Sequence, residues 1–213
     1  MKINNGGSPS EGKYNAIDLG LPSGTLWADK NVGAEQYHEV GLYFAWGETQ
    51  GYTDPNEKIN NGYSGFSFDT YKWSKNRTTT MTKYNAADSL RILESSDDAA
   101  SVNMGLYDTN HTWVVPSKEQ YDELFENTDS IPLYSEGQLC WKLTSKINGK
   151  EIIFPCAGYY AGTEKNYIGT QSLYYWINES LAISLMYPAG SYQYYSARYA
   201  NMDEGSNYYT NYN

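Results

Sequence analysis

The sequence predicts an α+β fold made of small antiparallel sheets, two short helices and long ordered loops. Three observations point there. One helix start carries a full capping signature, short strand-like runs alternate with Gly, Pro and Asn turns, and a long Gly- and aromatic-rich stretch shows no sustained period.

Taken in chain order, residues 1–12 read as a flexible leader, and residues 13–213 as a single domain. Tyr14-Asn-Ala-Ile-Asp-Leu-Gly20 reads as a strand, Leu21-Pro-Ser-Gly24 as a turn and Thr25-Leu-Trp-Ala28 as the partner strand. From Thr49 to about Lys83 a long ordered loop is expected, packed by Tyr63, Phe66, Phe68, Tyr71 and Trp73. A short helix is expected to start near Ser96 or Asp97 and to run through Val102, its acidic residues at the positive helix end. Ser117-Lys-Glu-Gln120 is a capping box behind Val115-Pro116. It predicts a helix over about 118–127, with Tyr121, Leu124 and Phe125 on its apolar face.

From Leu139 onward the chain has strand and turn character. Asn148-Gly149 is a strong two-residue type I′ signal between 141–147 and 150–155. That turn would set Cys156 opposite Trp141 and Cys140 opposite Ala157, with the thiols on opposite sheet faces and unpaired. Trp141, Leu143, Phe154 and Ile152 then share a core face, while Lys146 pairs with Glu151 on a wetter one.

Composition narrows the partners. The formal charge is -10, from 25 acidic against 15 basic residues, which repels phosphate backbones and anionic headgroups. Nucleic acid is therefore excluded as an expected partner. No apolar run is long enough for a membrane span, so no membrane insertion is expected, and no targeting signal is visible. Tyrosine is the outlier: residues 158–213 hold 13 of the 23. Surfaces rich in Tyr, Ser, Asn and Gly supply rigid amphipathic contact area at low entropic cost. An ordinary exposed strand, where Tyr is simply favourable, is the plainer account of the same residues.

Seven phrases in order resemble one family. They are Tyr14-Asn-Ala-Ile-Asp-Leu-Gly-Leu-Pro-Ser-Gly-Thr-Leu-Trp-Ala28, Leu42-Tyr-Phe-Ala-Trp-Gly-Glu-Thr49, Asp97-Asp-Ala-Ala-Ser-Val-Asn103, Trp113-Val-Val-Pro-Ser-Lys-Glu-Gln120, Asn148-Gly-Lys-Glu-Ile-Ile-Phe-Pro155, Ala157-Gly-Tyr159 and Tyr174-Tyr-Trp176. Together, over about residues 14–176, they resemble the Fibrobacter succinogenes major paralogous domain, abundant in Bacteroidetes and their phages. The resemblance implies a C-type-lectin-like fold, and some members of the family are variable targets of diversity-generating retroelements. In those targets the variable positions follow the Tyr-Trp phrase, which here implies residues 177–213. Relatives usually finish with a strand that pairs with the first hairpin. Either the sequence is truncated, or residues 207–213 serve as that strand.

The function these readings imply is non-enzymatic recognition by a phage receptor-binding or bacterial surface-displayed protein, which would be secreted, at a cell surface or on a virion. The ligand would be a protein or glycan on a cell surface, and an oligomer is compatible with it. The candidate ligand-binding residues are Asn178, Glu179, Tyr192, Tyr194, Tyr195, Ser196, Arg198, Tyr199, Asn201, Asp203 and Tyr208. A structural module of a fibre or pilus and a carbohydrate-binding accessory domain are the alternatives.

The remaining chemistry-bearing residues have plainer readings. Trp27, Trp46, Trp73, Trp113 and Trp141 are expected in the core rather than on a sugar platform. His38 and His111 lack a neighbouring ligand pattern, and Asp97-Asp98 suits a helix start as well as it suits calcium, so no metal or cofactor is assigned. No nucleophile elbow, phosphate-binding glycine loop or Cys–His pairing is visible, so no catalytic residue is named.

Overall fold

The computed structural model describes residues 13–166, 173–179, 181–186 and 191–196, the last two segments as backbone only. The leader at 1–12 and the proposed closing strand at 207–213 lie outside the described residues. The architecture is mainly β, built from small antiparallel sheets with few helices.

The first hairpin pairs β1 (Ala16–Asp18) with β2 (Leu26–Ala28), with Ile17 opposite Trp27. The stretch that follows holds a 3-10 turn at Pro55–Glu57, capped by the Asp54 side chain, and a minimal ribbon of β3 (Ile59–Asn60) and β4 (Tyr63–Ser64). Otherwise it is the expected long loop. Phe66 and Tyr71 are buried, and Phe68 and Trp73 pack against them. Tyr63 departs from the expectation: it is exposed, with the Arg77 guanidinium 5.0 Å from its ring centroid.

Helix α1 (Ala99–Met104) begins two or three residues later than the expected start near Ser96 or Asp97. Asp98 is its N-cap and accepts from Ser101 N, so one carboxylate satisfies an otherwise orphaned helix donor. Asp97 lies before the helix and is bonded instead by Lys72, Lys83 and Tyr84. Helix α2 (Lys118–Glu126) carries the full capping box of Ser117 and Gln120. It buries Tyr121 and Leu124, with Phe125 half-buried beside them.

The main sheet runs in the order β5 (Thr128–Ser135), β6 (Gln138–Ser145), β7 (Glu151–Pro155). Strand β5 was not legible beforehand, because Pro132 and alternating polar residues hide it; as an edge strand among the described residues it tolerates the proline. The two-residue turn with both φ positive is Glu136-Gly137, which joins Ser135 to Gln138.

Asn148-Gly149 does not form such a turn. Ser145 N donates to Lys150 O, leaving a four-residue loop in which only Gly149 takes a positive φ. The reason is docking. Ser145 Oγ donates to Leu19 O and accepts from Ile147 N and Asn148 N, while Asn148 Nδ2 donates to Asp18 O, so the loop is bolted to the first hairpin. The register therefore moves by two residues: Trp141 faces Phe154, and Cys140 faces Pro155. An even shift leaves every side chain on its expected face. Trp141, Leu143, Ile152, Phe154 and Cys156 accordingly sit together in one cluster. The expected Lys146–Glu151 pair is replaced by Lys142–Glu151 at 2.8 Å, since Lys146 lies in the loop and donates to Glu126 O.

Strands β8 (Tyr159–Ala161) and β9 (Glu164–Asn166) form a ribbon. The last sheet is ordered β10 (Leu173–Trp176), β11 (Leu181–Met186), β12 (Ser191–Ser196).

Three clusters make the core. The first joins Leu19, Leu21 and Trp27 of the opening segment to α2, β6, β7 and Leu173 of β10. The second is aromatic and gathers Tyr43, Trp46, Phe66, Tyr71, Tyr84 and Tyr160. The third holds Tyr14, Ala100, Met104 and Trp113. Each fully buried Leu, Ile or Phe in them contributes roughly 1.5–3 kcal/mol. Trp27, Trp46, Trp113 and Trp141 are buried and Trp73 is half-buried, so the tryptophans are framework, as expected.

Candidate functional site

Residues 177–179 with strands β11 and β12 are the described part of the region singled out for recognition, and β10 directly precedes it. Strand β10 and the residues just after it are tied down on several sides. Trp176 Nε1 donates to Phe44 O at 2.8 Å, and Trp46 Nε1 donates to Ile177 O at 2.8 Å and Glu179 O at 2.9 Å. Tyr175 OH donates to Pro155 O and accepts from Asn31 Nδ2, and burial pushes its phenol well above the ordinary tyrosine range. These bonds use groups that must find partners once they leave water.

Asn178 and Glu179 leave this strand. Asn178 N donates to Pro116 O, Leu93 N donates to Asn178 O, and Glu179 forms an isolated bridge with Ile92. Their backbones thus serve the framework, and the buried Asn178 Oδ1 has no hydrogen-bond partner among the described residues. Ile177, just before them, is fully buried.

Strand β11 pairs with β10 from Leu173↔Leu185 to Trp176↔Ala182. Strand β12 pairs with β11 without interruption, from Leu181↔Ser196 to Met186↔Ser191. Tyr192, Tyr194, Tyr195 and Ser196 all lie on β12, the strand farthest from the anchored one. An unbroken ladder gives Tyr192, Tyr194 and Ser196 one parity and Tyr195 the other. Arg198, Tyr199, Asn201, Asp203 and Tyr208 lie outside the described residues.

Two groups elsewhere were not singled out as functional and turn out to be organised. Asp97 binds Lys72, Lys83 and Tyr84, and Lys83 also meets Glu94, which pins the long loop to the segment before α1. Burial opposes ionisation of Asp97, but the bonds from Lys83, Lys72 and Tyr84 prevail and hold its carboxyl below the usual range. Asp108 Oδ2 lies 2.6 Å from His111 Nδ1 and accepts from Trp113 Nε1. That histidine bond, with one from Asn110 N, holds Asp108 low and fixes the imidazole orientation. The partners of Asp97 are brought together by loop paths and leave no sequence signature, whereas Asp108, Asn110, His111 and Trp113 lie within six residues of one another.

Among the described residues no three His, Cys, Asp or Glu side chains gather as a metal-holding group, and no helix is long and apolar enough to cross a membrane. Comparison of the chain with family models, curated proteins and solved structures gives no match.

Proposed function

We propose that the chain is a non-enzymatic recognition module with a C-type-lectin-like fold, which reads a protein or glycan ligand on a cell surface through β12 and residues after it. The observation that carries the reading is the contrast within one sheet. Strand β10 and the residues just after it are fixed to the framework by three buried or half-buried aromatic side chains, whereas β12, three of whose six residues are tyrosine, is the opposite edge of the sheet among the described residues, joined to β10 only through β11. An outer strand so placed accepts side-chain changes without disturbing the core, and tyrosines there supply adhesive area. Variation of residues 177–213 by a diversity-generating retroelement, and display on a phage or a bacterial surface, complete the proposal. Sequencing the gene's surroundings tests it. A reverse transcriptase gene beside a near-copy of the coding segment for the tail, differing at adenines, is the expected result; absence of both would remove the retroelement from the reading.

One observation favours a second reading. The outer edge of β12 has no described partner strand, and such an edge is a template for pairing with a neighbouring subunit in a fibre or pilus.

A further inference from the structure

The hydrogen bonds around β5 sort its residues into two rows. Lys146 N donates to Asn127 O, one rung beyond Thr128↔Ser145, so Asn127 faces β6. In an antiparallel ladder the N–H and C=O of a residue point to one side, and that side alternates along the strand. The register runs unbroken to Ser135↔Gln138, so Asp129, Ile131, Leu133 and Ser135 bond to β6, while Thr128, Ser130, Pro132 and Tyr134 face away from it. Strand β6 agrees from its other side. Ser145 N donates to Lys150 O and Cys156 N to Leu139 O, so the odd-numbered residues of β6 face β7 and the even-numbered ones face β5.

No described strand takes up the outward row. Its first member, Thr128, is buried, and its hydroxyl donates to Leu124 O of α2. The free edge is therefore Ser130 to Tyr134, with Pro132 exposed at its centre. Proline has no N–H, so the middle of the three outward positions cannot donate, and its ring stands where an incoming strand would lie. Without that proline the segment Ser130-Ile-Pro-Leu-Tyr-Ser135 would have the make-up of a pairing strand: it carries no charge, and Ile131 and Tyr134 are 53% and 71% exposed. At an inward position a proline would cost the sheet a bond to β6; at this outward one it costs the ladder nothing.

We infer that Pro132 guards this edge against strand addition, and that the pairing it prevents is with β5 of a second copy of the chain. Two copies related by a twofold axis at residue 132 would set Ser130 opposite Tyr134 on either side and bring the two Pro132 residues face to face. Neither hydrogen bond of that central rung can then form. A residue with an N–H at this position would restore both. The guard belongs to the main sheet and does not depend on the reading of β12.

Sedimentation velocity of the full chain over a range of concentrations measures self-association. Pro132→Thr supplies the missing donor on a residue suited to a strand, and should associate at concentrations roughly tenfold or more below those the wild type needs, the worth of two regained hydrogen bonds. Adding Ser130→Pro, at another outward position, should return the double variant to wild-type behaviour, since it removes a donor from the same edge and none from the β6 ladder. Association through any other surface is common to all these chains and cancels in the comparison. Thermal melts show which variants fold. Pro132→Val repeats the test if Pro132→Thr does not melt cooperatively, and the single variants decide if the double one does not. A folded Pro132→Thr or Pro132→Val that associates no more than wild type overturns the inference, as does a folded double variant that associates as strongly as Pro132→Thr. Failure of both single variants to fold also overturns it, because Pro132 would then hold the strand itself instead of guarding its edge.

Discussion

Glu48 and Lys58 form an ion pair whose side chains are only 8% and 5% exposed. Glu48 Oε2 receives Lys58 Nζ, and Glu48 Oε1 receives Lys72 N at 2.8 Å. The lysine ammonium also lies 5.7 Å from the ring centroids of Tyr52 and Phe66. Replacing Lys58 with Met keeps most of the stem packing but strands a buried carboxylate with one backbone donor. Removing one partner of a buried pair costs about 3–5 kcal/mol, and Lys58→Met should fall in that range. Glu48→Gln leaves the ammonium its two ring faces and the amide oxygen an acceptor for Lys72 N, so it should cost about 1 kcal/mol less. The double variant contains no stranded charge. It should therefore be more stable than the sum of the singles by about 2 kcal/mol or more, a coupling typical of contacting groups. Urea melts at neutral pH with unchanged slope measure all three. Additivity within about 0.5 kcal/mol, or single losses under about 1 kcal/mol, would refute the reasoning that desolvation governs this pair.

Trp141→Ala and Phe154→Ala should each cost roughly 3–5 kcal/mol, as large core truncations do, while Lys146→Ala, which is half-exposed, should cost under about 1 kcal/mol; denaturant melts compare them. Burial pushes the Cys140 thiol up to about 11 and Cys156 up to about 12, so both should resist a thiol reagent at pH 8 in the folded chain and react as two free groups once unfolded. Fast titration of either in the folded state would contradict their burial. Asp97 has a depressed folded pKa, so its stabilisation is present above the ordinary aspartate value of about 3.9 and disappears as pH falls through the lower folded value. Asp97→Asn should therefore lower the melting temperature at neutral pH and narrow the gap to wild type in strong acid; a gap independent of pH would be the contrary result.

Much of the frame was legible because its signals are local. The Ser117–Gln120 capping box, the Leu21-Pro-Ser-Gly24 turn and the face alternation of β6 and β7 each depend on residues within one turn or one strand pair. What failed to be legible depends on distant partners. Asn148-Gly149 has the composition of a type I′ turn, yet Leu19 O and Asp18 O draw Ser145 and Asn148 into a wider loop. Strand β5 hides behind Pro132, whose tolerance there follows from sheet order and not from its own neighbours. Of the candidate site, the strand positions of Tyr192 to Ser196 agree with a strand-forming tail. The framework use of the Asn178 and Glu179 backbones was invisible beforehand, because Trp46, Leu93 and Pro116 reach them from far along the chain.

The central claim separates an anchored sheet from a reading strand at its edge, and one paired measurement tests it. Tyr192→Ser, Tyr194→Ser and Tyr195→Ser, made singly and together, are melted and then assayed for binding to cells or immobilised glycans that the wild-type chain recognises. If β12 is the reading strand, the variants melt within a few degrees of wild type, since changes on a non-core surface usually cost within about 0.5 kcal/mol each. Binding is then lost, because a few aromatic anchors carry most of an interface's energy. Retained binding by a folded triple variant would contradict the account and favour the assembly reading of the same strand.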